Sequence, residues 1–205
     1  MALDLSHPLA AFGLGLALGT SPGPVQLLLL SEASRGGVGR GLRAMAGANL
    51  TFGAMLALLA AGLSSVRPDE PFLRVVKVAG GVFLLWLAID ALRARRRPPQ
   101  ARPGDRLHPI LRGAIAVVVN PGVYVFLGTT GTAIAADAAR HGGRPLALLT
   151  VATLLLGVST MDGGMVILGA RARRVGTRAL DLLATVLALA LGALGIWLAA
   201  GGLVG

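Results

Sequence analysis

Two places in the chain set helix breakers beside polar side chains inside otherwise apolar sequence. The first is Thr20-Ser21-Pro22-Gly23-Pro24-Val25-Gln26 and the second is Asn120-Pro121-Gly122-Val123-Tyr124. Proline removes an amide donor and clashes with the preceding turn, while glycine accepts dihedrals that other residues avoid. Each segment should therefore kink or interrupt a helix and free backbone carbonyls and amides. At bilayer depth such groups must be satisfied by neighbours or line a wet cavity. Freed helix-end amides could hold a carboxylate through their positive dipole ends. Freed carbonyls, with Gln26, Asn120 or Asn49, could meet an ammonium. For Tyr124 a packing or interfacial role stands beside the binding role, and for Asn49 bonding between helices does. The chemistry offered is binding rather than bond-making.

Ionisable groups sharpen that reading. Asp162 lies inside an apolar run, about eight residues and so roughly 10 Å from its end at 1.5 Å per residue. A carboxyl at that depth is costly and should face the bundle interior or water. Asp162 is thus the first candidate for proton coupling, with a structural carboxyl bonded beside Ser159 and Thr160 as the alternative. Asp90 is the second candidate, although Arg93 is its natural same-helix ion-pair partner. Glu32 is expected to pair with Arg35 near a span end. His7, His108 and His141 fall in loops or at span edges, far apart in sequence and without ligand-like spacing, so they read as surface histidines and no metal site is assigned. No cofactor is implied. An enzyme would need converging Ser/His/Asp groups, a His–carboxylate cluster or paired carboxylates. The deep acid is solitary, and the absence of cysteine excludes thiol nucleophiles, disulfides and zinc–thiolate sites.

The elements that must position these residues are membrane helices. The 205 residues are 55% hydrophobic and 14% charged, with a mean hydropathy of +0.76. A soluble domain carries about 25% charged residues. Six apolar stretches, at about 8–31, 42–63, 72–92, 110–135, 145–169 and 180–203, are each long enough to cross about 30 Å of hydrocarbon. Continuous runs of this length fit helices, not barrel strands. The start of the chain carries Asp4 and no basic residue, unlike a signal peptide, so the first stretch is read as a span.

The formal net charge of +10 is mainly an orientation signal. Fourteen of the 19 basic residues flank loops 1–2, 3–4 and 5–6, which places those loops in the cytoplasm and both termini outside. The Arg-rich stretch lacks aromatic interleaving and fits anionic lipid better than nucleic acid. It also marks a linker at about 93–109 that divides one membrane domain, 1–205, into repeats at about 1–92 and 110–205. Three spans per repeat make the two halves inverted, a recurring transporter design in which paired helix breaks mark the site. Gly15, Gly19 and Gly23, together with Gly80-Gly81 and Gly163-Gly164, offer close packing within the chain or in a homo-oligomer.

The Pro22-Gly23-Pro24 motif, the Asn120-Pro121 pair about 100 residues later, Gly36 to Gly41 and Val78 to Trp86 resemble the lysine exporter (LysE/RhtB) family across essentially the whole chain. The resemblance implies a multi-pass bacterial inner-membrane exporter of amino acids or related small polar metabolites, working by proton-coupled antiport. Members that export basic amino acids tend to carry acids where this chain has Asn49 and Phe126, which argues against a cationic substrate. Asp162 maps onto no motif of the family. An exporter of another small solute or metal ion, or a non-transporting membrane scaffold, is the alternative.

Overall fold

The computed structural model describes residues 6–20, 23–62, 70–95, 107–172 and 177–204, and every element among them is helical. The first apolar stretch forms two helices, α1 (Ser6–Thr20) and α2 (Pro24–Gly36), bent by 66°. The cause is local. Gly23 caps α2 with an extended backbone, and Pro24 follows in the first turn, where its missing N–H costs nothing. Pro22 lies outside the described residues. Gly37 alone then turns the chain into α3 (Val38–Ala60). Its φ of 79° lies in the left-handed region that favours glycine, and its N–H closes α2 onto the Ala33 carbonyl at 2.8 Å.

α4 covers Glu70–Arg95, and α5 (Pro109–Val118) begins under a cap in which a His108 ring nitrogen accepts from the Ile110 amide at 3.4 Å. Residues 96–106 of the linker lie outside the described residues. The second break falls where its motif expects. Asn120 Oδ1 accepts from the Gly122 amide at 3.0 Å and caps α6 (Pro121–Phe126). A single π turn, Leu127–Gly131, follows, and the Thr132 hydroxyl donates to the Leu127 carbonyl at 2.6 Å.

α7 (Thr132–Ala172) departs from the expected loop at 136–144. Helix persists through the alanine-rich stretch to His141, because alanine is the strongest helix former. Only Gly142 and Gly143 leave helical dihedrals, with Gly143 at φ 66° and Pro145 just beyond. α8 (Thr177–Val204) completes the order. Four helical segments among the described residues are long and apolar enough to cross a bilayer, or five if α1 and α2 count as one bent span. The chain is thus an all-helical membrane protein. One of those segments, Pro121–Ala172, has 52 residues, about 78 Å if it were straight, and it contains the glycine break.

Glycines set the helix contacts. A Cβ on Gly15 would strike the Leu154 carbonyl of α7, and one on Gly157 would strike the Phe12 carbonyl of α1. A Cβ on Gly47 would strike the Ile110 carbonyl of α5, and one on Gly113 the Ala44 carbonyl of α3. Gly81 and Gly195 face each other's carbonyls where α4 meets α8. Small residues permit such backbone approach in lipid. Gly163 and Gly164 do not pack closely within the described chain: a Cβ on either meets nothing within 4 Å. A glycine pair permits close approach, but the neighbouring helices decide which face is used. Large side chains on the outside, including Trp197 and Leu203, remain exposed as a lipid-facing surface requires.

Candidate transport site

The second half of α7 is the post against which the broken first span leans. Near one end, the Thr153 hydroxyl donates to the Pro8 carbonyl of α1 at 3.0 Å. Near the other, Gly169 lies against Leu30 and Ala33 of α2. Between them Gly157 meets α1, Gly19 lies against Met161, and Gln26 reaches Asp162. Asp162 therefore stands about 13 Å along the helix from one end contact and about 10 Å from the other. Gly19 and Gln26 flank the interruption between α1 and α2, so the facing ends of these two helices lie beside this carboxyl.

Asp162 is only 1% exposed, and neither carboxyl oxygen has a hydrogen-bond partner among the described residues: the Gln26 side chain comes near it without closing a hydrogen bond. A buried polar group without partners costs free energy and is seldom left so without a use. The neighbours that might have tied it down are engaged elsewhere. Ser159 Oγ accepts from Asn49 Nδ2 at 2.9 Å, and the Thr160 hydroxyl donates to the Leu156 carbonyl at 2.8 Å. Gln26 and Asn49 thus approach one face of α7 at Asp162 and Ser159, next to Gly23 and Pro24 at the head of α2.

The second break is closed by its own side chains. The Tyr124 hydroxyl donates to the Val118 carbonyl at 2.7 Å, which satisfies a group freed at the end of α5. Its ring stands edge-on to Phe72 with centroids 5.0 Å apart, and Gly80 of α4 abuts the Val119 carbonyl. Pro121 is buried, Gly122 is held by the Asn120 cap, and Phe126 packs with Phe52 of α3 at 6.1 Å. Thr129 donates back to the Val125 carbonyl. No hydrogen bond among the described residues joins this set to Gln26, Asn49 and Asp162. Asp90 lies on α4 with its side chain outside the described residues, and Pro22 is likewise outside them.

A buried ion cluster escapes sequence reasoning. Glu32, expected to pair with Arg35 near an interface, is fully buried. Its shorter contacts are to Arg40 at 2.6 Å and Arg112 at 3.1 Å, against 3.7 Å to Arg35. Arg112, counted from sequence as a loop-flanking charge, has no exposed surface and lies 5.2 Å from the Trp86 ring centroid. The cluster ties the end of α2 to the starts of α3 and α5. An acid amid arginines hints at pairing, but the 80-residue separation of Glu32 and Arg112 gives no local sign of it.

The histidines also depart from expectation. His108 stays at an exposed helix cap, but the Gly142–Gly143 break leaves His141 one turn beyond Asp137, and the start of α1 brings His7 to both. The His7 and His141 rings lie 5.0 Å apart.

Comparison with known proteins agrees with the membrane architecture. The LysE type translocator family matches the chain over residues 16–202. An uncharacterized membrane protein of Pseudomonas aeruginosa is 30% identical over 114 residues, covering 51% of this chain and 53% of that protein. The match thus spans about half the length of that curated relative. No solved structure matches.

Proposed function

Since the chain belongs to the LysE type translocator family, and so is a membrane transporter of small solutes rather than an enzyme, we propose that it exports amino acids or related small polar metabolites by proton-coupled antiport. The observation that carries this reading is Asp162: a fully buried carboxyl, without a hydrogen-bond partner among the described residues, beside the interruption of the first span. Substrate binds in the gap between α1 and α2. The Val25 and Gln26 amides in the first turn of α2, whose N-cap Gly23 supplies no side-chain bond, take the carboxylate at the positive end of the helix dipole. Gln26 and Asn49 contribute polar contacts. Asp162 carries the proton, and its change of charge shifts the balance between inward-open and outward-open states, as burial makes the two charge states differ in cost.

Alternating access follows from two inverted three-helix repeats. Six spans result if α1–α2, the pair α5–α6 with the first half of α7, and the second half of α7 each cross once. Supporting this, α1 meets α7 through Gly15 and Gly157 just as α5 meets α3 through Gly113 and Gly47. Asn49 and Ser159 lie two residues beyond Gly47 and Gly157 and bond to each other, as equivalent positions beside a pseudo-two-fold axis would. One repeat rocks against the other about that axis. The bacterial inner membrane, with both termini outside, is the setting the basic loops favour.

The test is efflux from proteoliposomes loaded with a panel of radiolabelled amino acids and small metabolites, with and without a pH gradient. At least one zwitterionic solute should leave faster under the gradient, and Asp162→Asn should remove that acceleration while the variant still folds. Gradient-driven efflux undiminished in Asp162→Asn would overturn the proton-carrier role. Folded parent protein that moves no member of the panel would overturn the substrate class.

A further inference from the structure

We propose that His7, Asp137 and His141 form a binding site for a divalent transition-metal ion of the zinc or nickel class, clasping the start of α1 to the first half of α7. One ligand atom from each residue lies within 4.8 Å of the other two, a spacing that an ion can draw together with small side-chain movements. His7 Nε2 is 3.0 Å from Asp137 Oδ2, and the two imidazole planes are tilted by 42° rather than stacked. Asp137 and His141 are separated by one helical turn, so both project from one face of α7.

The donor set chooses the ion. Two imidazoles and one carboxylate suit zinc, nickel, cobalt or copper, whereas magnesium and calcium require mostly oxygen ligands. Arg140 donates to Asp137 Oδ1 at 2.8 Å, which leaves Oδ2, the oxygen facing His7, for the metal. His7 must offer its Nε2 lone pair, so its proton moves to Nδ1, where Ser6 Oγ lies 3.4 Å away and can accept it. Such outer hydrogen bonds fix the ligating tautomer in metal sites. His141 gives up the hydrogen bond between its Nδ1 and the Asp137 carbonyl, 2.9 Å away. Asp137 and His141 are 42% and 58% exposed, so an ion can enter and water can complete its coordination. The ions bind outside the proposed transport gap, and the inference does not depend on that reading.

The experiment uses the full chain, purified in detergent without a polyhistidine tag and stripped with a chelator. Zinc is titrated by equilibrium dialysis and by its effect on the thermal unfolding midpoint. The expected result is one zinc ion per chain at micromolar concentration and a raised midpoint. His7→Ala and His141→Ala should each weaken binding about tenfold or more, with Asp137→Asn as a further variant that keeps the side-chain shape. His108→Ala, remote from the cluster, should bind as the parent does. Zinc binding undiminished in both His7→Ala and His141→Ala overturns the site, as does a folded parent that takes up no zinc at these concentrations.

Discussion

The two helix breaks are built from similar residues and have opposite characters. At the first, the head of α2 is capped by Gly23, which supplies no side-chain bond, and the facing helix presents a buried carboxyl with no hydrogen-bond partner among the described residues. At the second, Asn120 caps α6, Tyr124 takes the Val118 carbonyl, and the facing helix presents Phe52 to Phe126. Beside the first break a buried carboxyl has no hydrogen-bond partner among the described residues, whereas the second satisfies its own freed groups. A Pro-Gly motif therefore marks where a helix is interrupted without saying whether the interruption is a site or a joint. The side chains around it decide. The first break holds the unsatisfied carboxyl beside it, while the second holds its freed groups in its own hydrogen bonds.

The largest expected effect tests what the two breaks share. Each has a glycine crossing close by, Gly15 with Gly157 and Gly113 with Gly47, in which a Cβ would press on a backbone carbonyl. Backbone cannot swing aside as a flexible side chain can, so Gly15→Ala and Gly113→Ala should each destabilise the fold by about 3 kcal/mol through overpacking. Gly163→Ala, whose Cβ meets open space, is the control and should cost nothing measurable. Thermal unfolding in detergent, followed by tryptophan fluorescence, reads all three. A Gly113→Ala protein as stable as Gly163→Ala would mean that the α3–α5 contact is looser than its α1–α7 counterpart, and the likeness between the breaks would end there.

The next effect separates them. Tyr124→Phe leaves the ring against Phe72 but orphans the Val118 carbonyl, and an unsatisfied acceptor away from water costs about 1–2 kcal/mol. Stability should fall by that amount, while efflux per folded molecule stays near the parent value. Asp162→Asn should do the reverse: it removes a carboxyl that no described residue satisfies, so stability holds or rises while coupled efflux is lost. A Tyr124→Phe protein with parental stability and lost efflux would move the ligand chemistry to the second break.

These contrasts also show which parts of the molecule the residues themselves made legible. Both breaks and the burial of Asp162 could be read from sequence, because proline, glycine and an acid in an apolar run act through local chemistry. The expected loop at 136–144 shrank to Gly142 and Gly143, since alanine propensity outweighed the polar residues used to place it. Three tertiary features had no local signal. Glu32 meets Arg112 across 80 residues, and His7 meets Asp137 across 130. The choice between an open and a closed break rests on which side chain a distant helix supplies, Asp162 from α7 or Phe52 from α3.

The smallest effect concerns the caps, the feature in which the breaks differ most directly. Asn120 Oδ1 satisfies the Gly122 amide at 3.0 Å, whereas Gly23 has no side chain with which to do so. Loss of an asparagine cap costs about 0.5–1 kcal/mol in helices of ordinary exposure. Asn120→Ala should therefore lower stability by that amount, while Asn120→Asp, which keeps an acceptor at the same place, should lower it less. If the amides at the head of α2 alone bind the carboxylate, then added substrate should raise the unfolding midpoint of Asn120→Ala by as much as it raises the parent's, because on that reading Asn120 is a cap and not a ligand contact. A substrate-induced rise that vanishes in Asn120→Ala would instead place a ligand on α6, and the two breaks would have to be treated as one divided site.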